Sequence, residues 1–304
     1  MTAAEALAPT QVTKPGIYAD MPEEVYHSDP VPAESLSSSG ARKLLPPSCP
    51  AIYRYERDHG AGHKRTFDLG HAAHKAVLGI GADVVEVDAD DWRTKAAREH
   101  RDAAYAAGKV PLLAAEVAQV EAMAAAIRLH PMAAALFDHA RGGKPEQSLF
   151  WQQQVLVTTP EGPQPTPVWR RARLDWLPKL TKSGRLILAD YKTAACAEPG
   201  KFARAVFDHG YHQQAAWYID AVSALGLADD IAFVFVVQEK TAPYPVTVCE
   251  LDVDALRIGR ILNQRALSIF ADCQRTGRWP GYSDQVELVS PPPWVAREFA
   301  DTAP

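Results

Sequence analysis

The chain has no apolar stretch approaching the roughly 20 residues that a bilayer-spanning helix needs. It has only four cysteines in 304 residues and no excess of basic side chains, with 32 Lys and Arg against 37 Asp and Glu and a formal net charge of -5. Each shortage excludes something. No spanning helix is expected, and the first residues, Met1 to Pro15, put Glu5 where an export signal carries positive charge and lack its apolar core; a cytoplasmic protein is expected. Cys49, Cys196, Cys249 and Cys273 show no CxxC or CxH spacing, which favours buried reduced thiols over a zinc or iron–sulfur site. The acidic balance disfavours a protein that grips nucleic acid through bulk charge. That average hides one reversal: residues 166–204 hold nine Lys and Arg against three Asp and Glu, whereas 205–304 hold seven against thirteen. A locally basic site on an acidic protein is compatible with phosphate recognition without indiscriminate binding.

What is present suits a sizeable core, with 47% of residues hydrophobic and 23% charged, and this excludes a disordered polyelectrolyte or a coiled coil. After a flexible start over 1–15, Glu34–Leu45 (ESLSSSGARKLL) reads as a Ser-rich cap feeding a short helix that Pro46 and Pro47 stop. A second helix is predicted over about Phe67–Leu78, with Leu69, Ala73, Ala76 and Val77 on its apolar side and Gly70 and His74 one turn apart. The Ala-rich and charge-rich segment of about 91–140, with Leu112, Leu113, Val117, Val120, Met123 and Ile127 recurring, predicts a helical insert.

The character changes near Glu146. SLFWQQQVLV, VWRRARLDWLP and GRLILADYKT are rich in β-branched and aromatic residues and separated by turn-forming stretches, one of them Thr181–Gly184; they predict three consecutive antiparallel strands. Phe202–Leu225 returns to helical spacing. Ile231–Gln238 (IAFVFVVQ) suits a strand buried on both faces, and a strand near Val246–Leu251 leads into a helix over about Asp254–Thr276. The order implies an α/β fold with one central mixed sheet flanked by helices, a single domain over 16–289, and an extended Pro-rich tail over 290–304.

Strand alternation puts Arg171, Arg173 and Asp175 on one face, and Asp190 and Lys192 on one face of the next strand. A turn between the strands can bring the two aspartates together. Two carboxylates beside an amine make a poor core, because a buried unpaired charge costs several kcal/mol; a divalent cation resolves the conflict, and an exposed Asp190–Lys192 ion pair is the alternative. His74, by itself, is an ordinary polar helical residue, and Gln214 and Tyr218, one turn apart, an ordinary helix face.

Together, and in this order, Gly70-xxx-His74, Arg-x-Arg-Leu-Asp175, Asp190-x-Lys192 and Gln214-xxx-Tyr218 resemble the PD-(D/E)xK nuclease superfamily in its RecB-like branch. Within that branch the likeness is strongest to the exonuclease VIII (RecE-type) nucleases of phages and prophages. LSSSGARKLLPPSCPAIYRY, VVQEKTAPYPV and RWPGY extend it over about Gly16–Tyr282. The resemblance implies a restriction-endonuclease-like core in which Asp175 and Asp190 are the acidic metal positions, Lys192 the catalytic lysine, His74 a further metal ligand, and Gln214 and Tyr218 a motif beside the active site. Glu146, just before the first strand, is a further acidic candidate. Two departures stand out: the second acid is Asp rather than Glu, and Leu174 occupies the place of the motif's proline.

The activity so implied is Mg²⁺-dependent exonucleolytic hydrolysis of linear double-stranded DNA, 5′ to 3′, yielding single strands for phage-type recombination with an annealing or recombinase partner, by a homo-oligomeric ring. An imidazole ligand is softer than Mg²⁺ prefers, so Mn²⁺ is expected to substitute. No iron–sulfur cluster is expected, since the cysteines lack the clustering such relatives use. Lys192, partly buried, is expected to have a depressed pKa and to orient or deprotonate the attacking water. Arg171 and Arg173 are candidate DNA contacts through bidentate phosphate pairing, with acid-orienting roles as the alternative. The competing functions are a RecB-like endonuclease or defence-associated nuclease, a catalytically silent DNA-binding subunit, and a zinc hydrolase on His71 and His74, which lack an intervening HExxH glutamate.

Overall fold

β-branched and aromatic residues dominate the middle of the chain, and there the longest strands form. A computed structural model describes residues 11–60, 62, 65–181 and 184–300. In chain order the elements are β1 (Gly16–Tyr18), α1 (Glu23–His27), β2 (Ser35–Ser37), α2 (Ser38–Lys43), α3 (Pro50–His59), α4 (Asp68–Leu78), β3 (Val84–Val87), α5 (Lys95–Ala106), β4 (Val110–Leu113), α6 (Ala114–Leu129) and α7 (Pro131–Leu136). Then follow β5 (Lys144–Thr159), β6 (Gly162–Leu177), β7 (Leu186–Ala194), α8 (Pro199–Asp208), α9 (Tyr211–Ala224), β8 (Ile231–Glu239), β9 (Val246–Glu250), α10 (Val253–Thr276) and α11 (Pro293–Glu298).

The main sheet is seven-stranded and mixed, in the order β1-β5-β6-β7-β8-β9 with β2 also paired to β6. The three predicted strands are β5, β6 and β7, joined antiparallel. β8 runs parallel to β7 and is buried along nearly its whole length, as its unbroken apolar run requires. One core layer packs α2, α3, α8, α9 and α10 on the sheet through Leu36, Leu149, Trp217, Phe235 and Phe270. The other packs α4, α6 and α7 through Leu78, Met123, Trp176 and Val236. The result is a restriction-endonuclease-like α/β fold.

The edge of β6 explains where a site can open. β5 occupies one edge for almost the full strand. The other is shared: β2 pairs with Trp169–Arg171, and β7, which pairs with β8 along its whole length, meets β6 at the single registered pair Trp176↔Ala189. The stretch 172–175 pairs with neither, leaving a fork whose crotch carries Asp175 and, one residue beyond Ala189, Asp190.

The structure corrects three expectations. The insert is not purely helical, because Val110–Leu113 pairs in parallel with Val84–Val87 in a second, two-stranded sheet; that partner lies before the segment, so local Ala-rich composition concealed it. The tail is not simply extended, since Pro293 opens the short helix α11, Pro being tolerated at the first helical position. The flexible start falls mostly outside the described residues, but within them Val12 is fully buried beside Met21 and Tyr26. Of the Thr181–Gly184 turn, residues 182 and 183 lie outside the described residues. The Ser-rich cap forms as expected, with Ser37 Oγ accepting from the Gly40 amide at 3.1 Å. Among the described residues no single helix is long and apolar enough to cross a membrane.

Candidate active site

At the fork, α4 contributes His74, β5 Glu146 and β6 Asp175. α4 approaches closely because Gly70 lacks a side chain: a Cβ there would stand 3.3 Å from Thr193 Oγ1 on β7. His74 Nε2 then lies 3.3 Å from Asp175 Oδ2 and 3.4 Å from Glu146 Oε1. Glu146 sits opposite Asp175 between the registered pairs Pro145↔Trp176 and Gln147↔Leu174, and its φ of 53° is left-handed, where a non-glycine residue is uncommon. One ligating atom from each of His74, Glu146 and Asp175 lies within 4.8 Å of the others, and the three residues are half-buried. One imidazole nitrogen and two carboxylate oxygens make a hard, oxygen-rich donor set that fits Mg²⁺ or Mn²⁺.

Asp190 stands outside that trio. Its side chain is buried, Oδ1 accepts from Gln214 Nε2 at 2.7 Å, and Oδ2 pairs with Lys192 Nζ. Asp175 Oδ2 also accepts from the Tyr191 amide at 2.8 Å, so the backbone of β7 fixes the carboxylate of β6. Lys192 Nζ rests 5.3 Å from the centre of the Tyr211 ring. The helix face seen in Gln214 and Tyr218 thus begins at Tyr211, three residues before Gln214, a spacing that could have flagged it. All of these residues except Asp190 line a cavity of about 1520 Å³, with Arg171 and Arg173 also on its wall.

The charges follow from burial and proximity. Burial alone would lower His74, but Asp175, Glu146 and Asp190 outweigh it and lift the imidazole to about 9. Burial would raise Asp175, but His74, Lys192 and the Tyr191 amide hold it below the usual range. Burial and the neighbouring Asp175 push Asp190 and Glu146 up. The expected depression of Lys192 is overturned: burial pulls it down, but Asp190 and Asp175 raise it, so the ammonium stays charged.

Both arginines are engaged. Arg173 Nε pairs with Glu146 Oε2, and its Nη1 donates to Met21 O at 3.0 Å and Ser148 Oγ at 2.9 Å. Arg171 is buried against Asp29 Oδ2 and the Ser35 carbonyl, each at 2.8 Å. Asp29 also accepts from Arg57 and Ser35, and this network, which pins the N-terminal segment to the sheet, had no signal in the local sequence. His71 lines the cavity but contributes nothing to the trio. The four cysteines form no disulfide.

An α/β sheet forked around paired acids, with a histidine on one flanking helix and a lysine two residues after the second acid, is the architecture of the PD-(D/E)xK superfamily. The chain belongs to the DUF3799 family, described as a PDDEXK-like domain of unknown function, whose model matches residues 37–292. The fold is shared with a crystal structure described as "Putative exonuclease" from Eubacterium rectale, at a TM-score of 0.52 and 12% identity, covering 88% of this chain and 94% of that one. No curated protein matches the sequence.

Proposed function

We propose that the protein is a divalent-metal-dependent DNA exonuclease of the RecE type, acting 5′ to 3′ on linear duplex ends in the bacterial cytoplasm and leaving single strands for an annealing or recombinase partner in phage-type recombination. The observation that carries the reading is the His74–Glu146–Asp175 donor set beside the Asp190–Lys192 pair. The basic character of residues 166–204 supports a phosphate-bearing substrate, and the similarity to the E. rectale protein supports the exonuclease assignment.

His74, Glu146 and Asp175 would hold the cation, with Asp190 at the edge of the site. A bound Mg²⁺ or Mn²⁺ supplies Lewis acidity toward the scissile phosphate. The remaining work falls to the chain. Lys192, kept charged, can donate but not accept a proton, so it neutralises charge developing on the phosphate. Gln214 holds Asp190, Asp190 holds Lys192, and the Tyr211 ring supports the ammonium from one side.

The test is digestion of linear and covalently closed plasmid with Mg²⁺, Mn²⁺ or EDTA. The expected result is loss of the linear form only, with either metal, and a rate in Lys192→Ala lower by roughly 10²- to 10³-fold. Cutting of the closed circle would identify an endonuclease. Binding without cutting in either metal would identify a silent subunit.

A further inference from the structure

Most aromatic rings on the wall of the active-site cavity are closed off. Tyr26, Tyr191 and Tyr218 are buried, whereas Phe67 is 55% exposed. Local stability gives no reason for a ring at this place. Phe67 is the N-cap of α4 and makes no side-chain capping hydrogen bond, where Ser, Thr, Asp or Asn would satisfy an amide of the first turn. Nor does it gain what a buried ring gains, since more than half of it faces solvent. A residue that breaks a local rule without a packing gain marks a functional position.

Its place on α4 says what that function is. Phe67, His71 and His74 stand at i, i+4 and i+7, one face of the helix, and all three line the cavity together with Gly70. At about 1.5 Å of rise per residue, Phe67 lies roughly 10 Å along that face from His74, where the donor set sits. The rings of Phe67 and His71 are 6.4 Å apart and tilted by 37°. The turn that carries Phe67 is anchored from behind: Arg65 Nη2 donates to Glu116 Oε1 at 2.8 Å, and its guanidinium rests 4.7 Å from the centre of the Trp92 ring.

Every base has a flat π face that stacks on an aromatic ring whatever the sequence. We propose that Phe67 is a stacking platform for a base of the strand being cut, with His71 flanking it on the side toward the metal. The inference rests on the nuclease reading, which brings a nucleic-acid strand into this cavity. Phosphates follow one another about every 3.4 Å along each strand of a duplex, so a separation of roughly 10 Å puts the stacked base within about three nucleotides of the scissile phosphate. A base inside a duplex has both faces covered by its neighbours, so the base on Phe67 is a terminal or unpaired one. Such a contact holds the strand without reading its sequence, which suits an enzyme that degrades whatever end it meets.

The experiment measures binding rather than cutting. In EDTA, fluorescence anisotropy follows a labelled oligothymidylate of about eight nucleotides, within the usual range of single-strand site sizes, and a strand of equal length built of abasic deoxyribose phosphates. The two strands carry the same charge and differ only in the bases. Wild type is expected to bind the thymidine strand more tightly. Phe67→Ala is expected to weaken that binding by roughly 5- to 100-fold and to leave the abasic strand unaffected. Phe67→Trp is expected to keep the preference, and Phe67→Leu, apolar but not aromatic, to lose most of it. Calorimetric Mn²⁺ affinity is expected to be unchanged in Phe67→Ala, because α4 still delivers His74. Equal weakening of both strands, no weakening of either, loss of Mn²⁺ affinity in Phe67→Ala, or no binding by wild type up to about 100 µM overturns the proposal. The plasmid digestion judges the nuclease reading separately. A base-dependent loss in a protein that cuts no plasmid keeps the platform and removes the nuclease; cutting, with equal effects on both strands, removes the platform alone.

Discussion

Glu146 and Asp175 face each other across β5 and β6 at the one skipped pair in an otherwise continuous register from Lys144↔Leu177 to Thr159↔Gly162. The skip falls where the donor set forms, and Glu146 adopts its left-handed φ there. Such backbone costs of order 1–3 kcal/mol and persists when the surroundings over-determine it. Here Arg173 provides part of that determination by gripping the far oxygen of Glu146 while the near one faces His74.

Arg173 is therefore expected to act through Glu146. Arg173→Ala should weaken Mn²⁺ binding by roughly 10- to 100-fold, the usual cost of losing a group that orients a metal ligand. Calorimetric titration of Mn²⁺ measures this. The log–log salt slope of DNA binding should stay unchanged in the same variant; a slope lower by about one would mean that Arg173 contacts a phosphate instead.

His74 makes cation binding depend on pH. Its pKa of about 9 means that the imidazole must lose a proton before it can ligate. Mn²⁺ affinity should thus rise by about tenfold per pH unit from pH 6.5 toward 9 and flatten above, and His74→Ala should remove most of that slope. The stability of the metal-free protein has the opposite sense. A group whose pKa is raised on folding contributes stability that is complete below its ordinary value of 6.5 and lost as pH climbs through 9. Urea unfolding of wild type and His74→Ala, in EDTA at pH 6 and 9, should show the two converging at the higher pH.

Gly259 allows α10 to lie against α9, for a Cβ there would collide with the His212 carbonyl. Gly259→Ala should destabilise the protein by about 1–3 kcal/mol, the range for overpacking, despite the better helix propensity of Ala. A higher urea midpoint in the variant would show that the helices can part without cost.

Tyr191 links the active-site strand to α6. Its hydroxyl donates to Gln238 Oε1, and Gln238 Nε2 donates to the Met123 carbonyl at 2.8 Å, all of it buried. Tyr191→Phe should cost about 1–3 kcal/mol in urea unfolding by leaving a buried amide oxygen unpaired. Because the Tyr191 amide still fixes Asp175, Mn²⁺ affinity should hold.

Local pattern by itself determined much of this protein. The alternation in 146–194 defined three strands, the apolar run Ile231–Gln238 a strand buried on both faces, and helical spacing placed Gly70 with His74 and Gln214 with Tyr218. These are short-range properties, because a side chain's face is set by the period of its own element. What surrounds that face is a long-range property, and the tertiary structure alone decided it. The pairing of β4 with β3, the grip of Arg173 on Glu146 and the separation of Asp190 from the donor trio each depend on register between distant segments. The charge state of Lys192 shows the same division. Sequence indicated a buried amine, whose desolvation lowers its pKa, but the two carboxylates that the fork brings beside it reverse the sign.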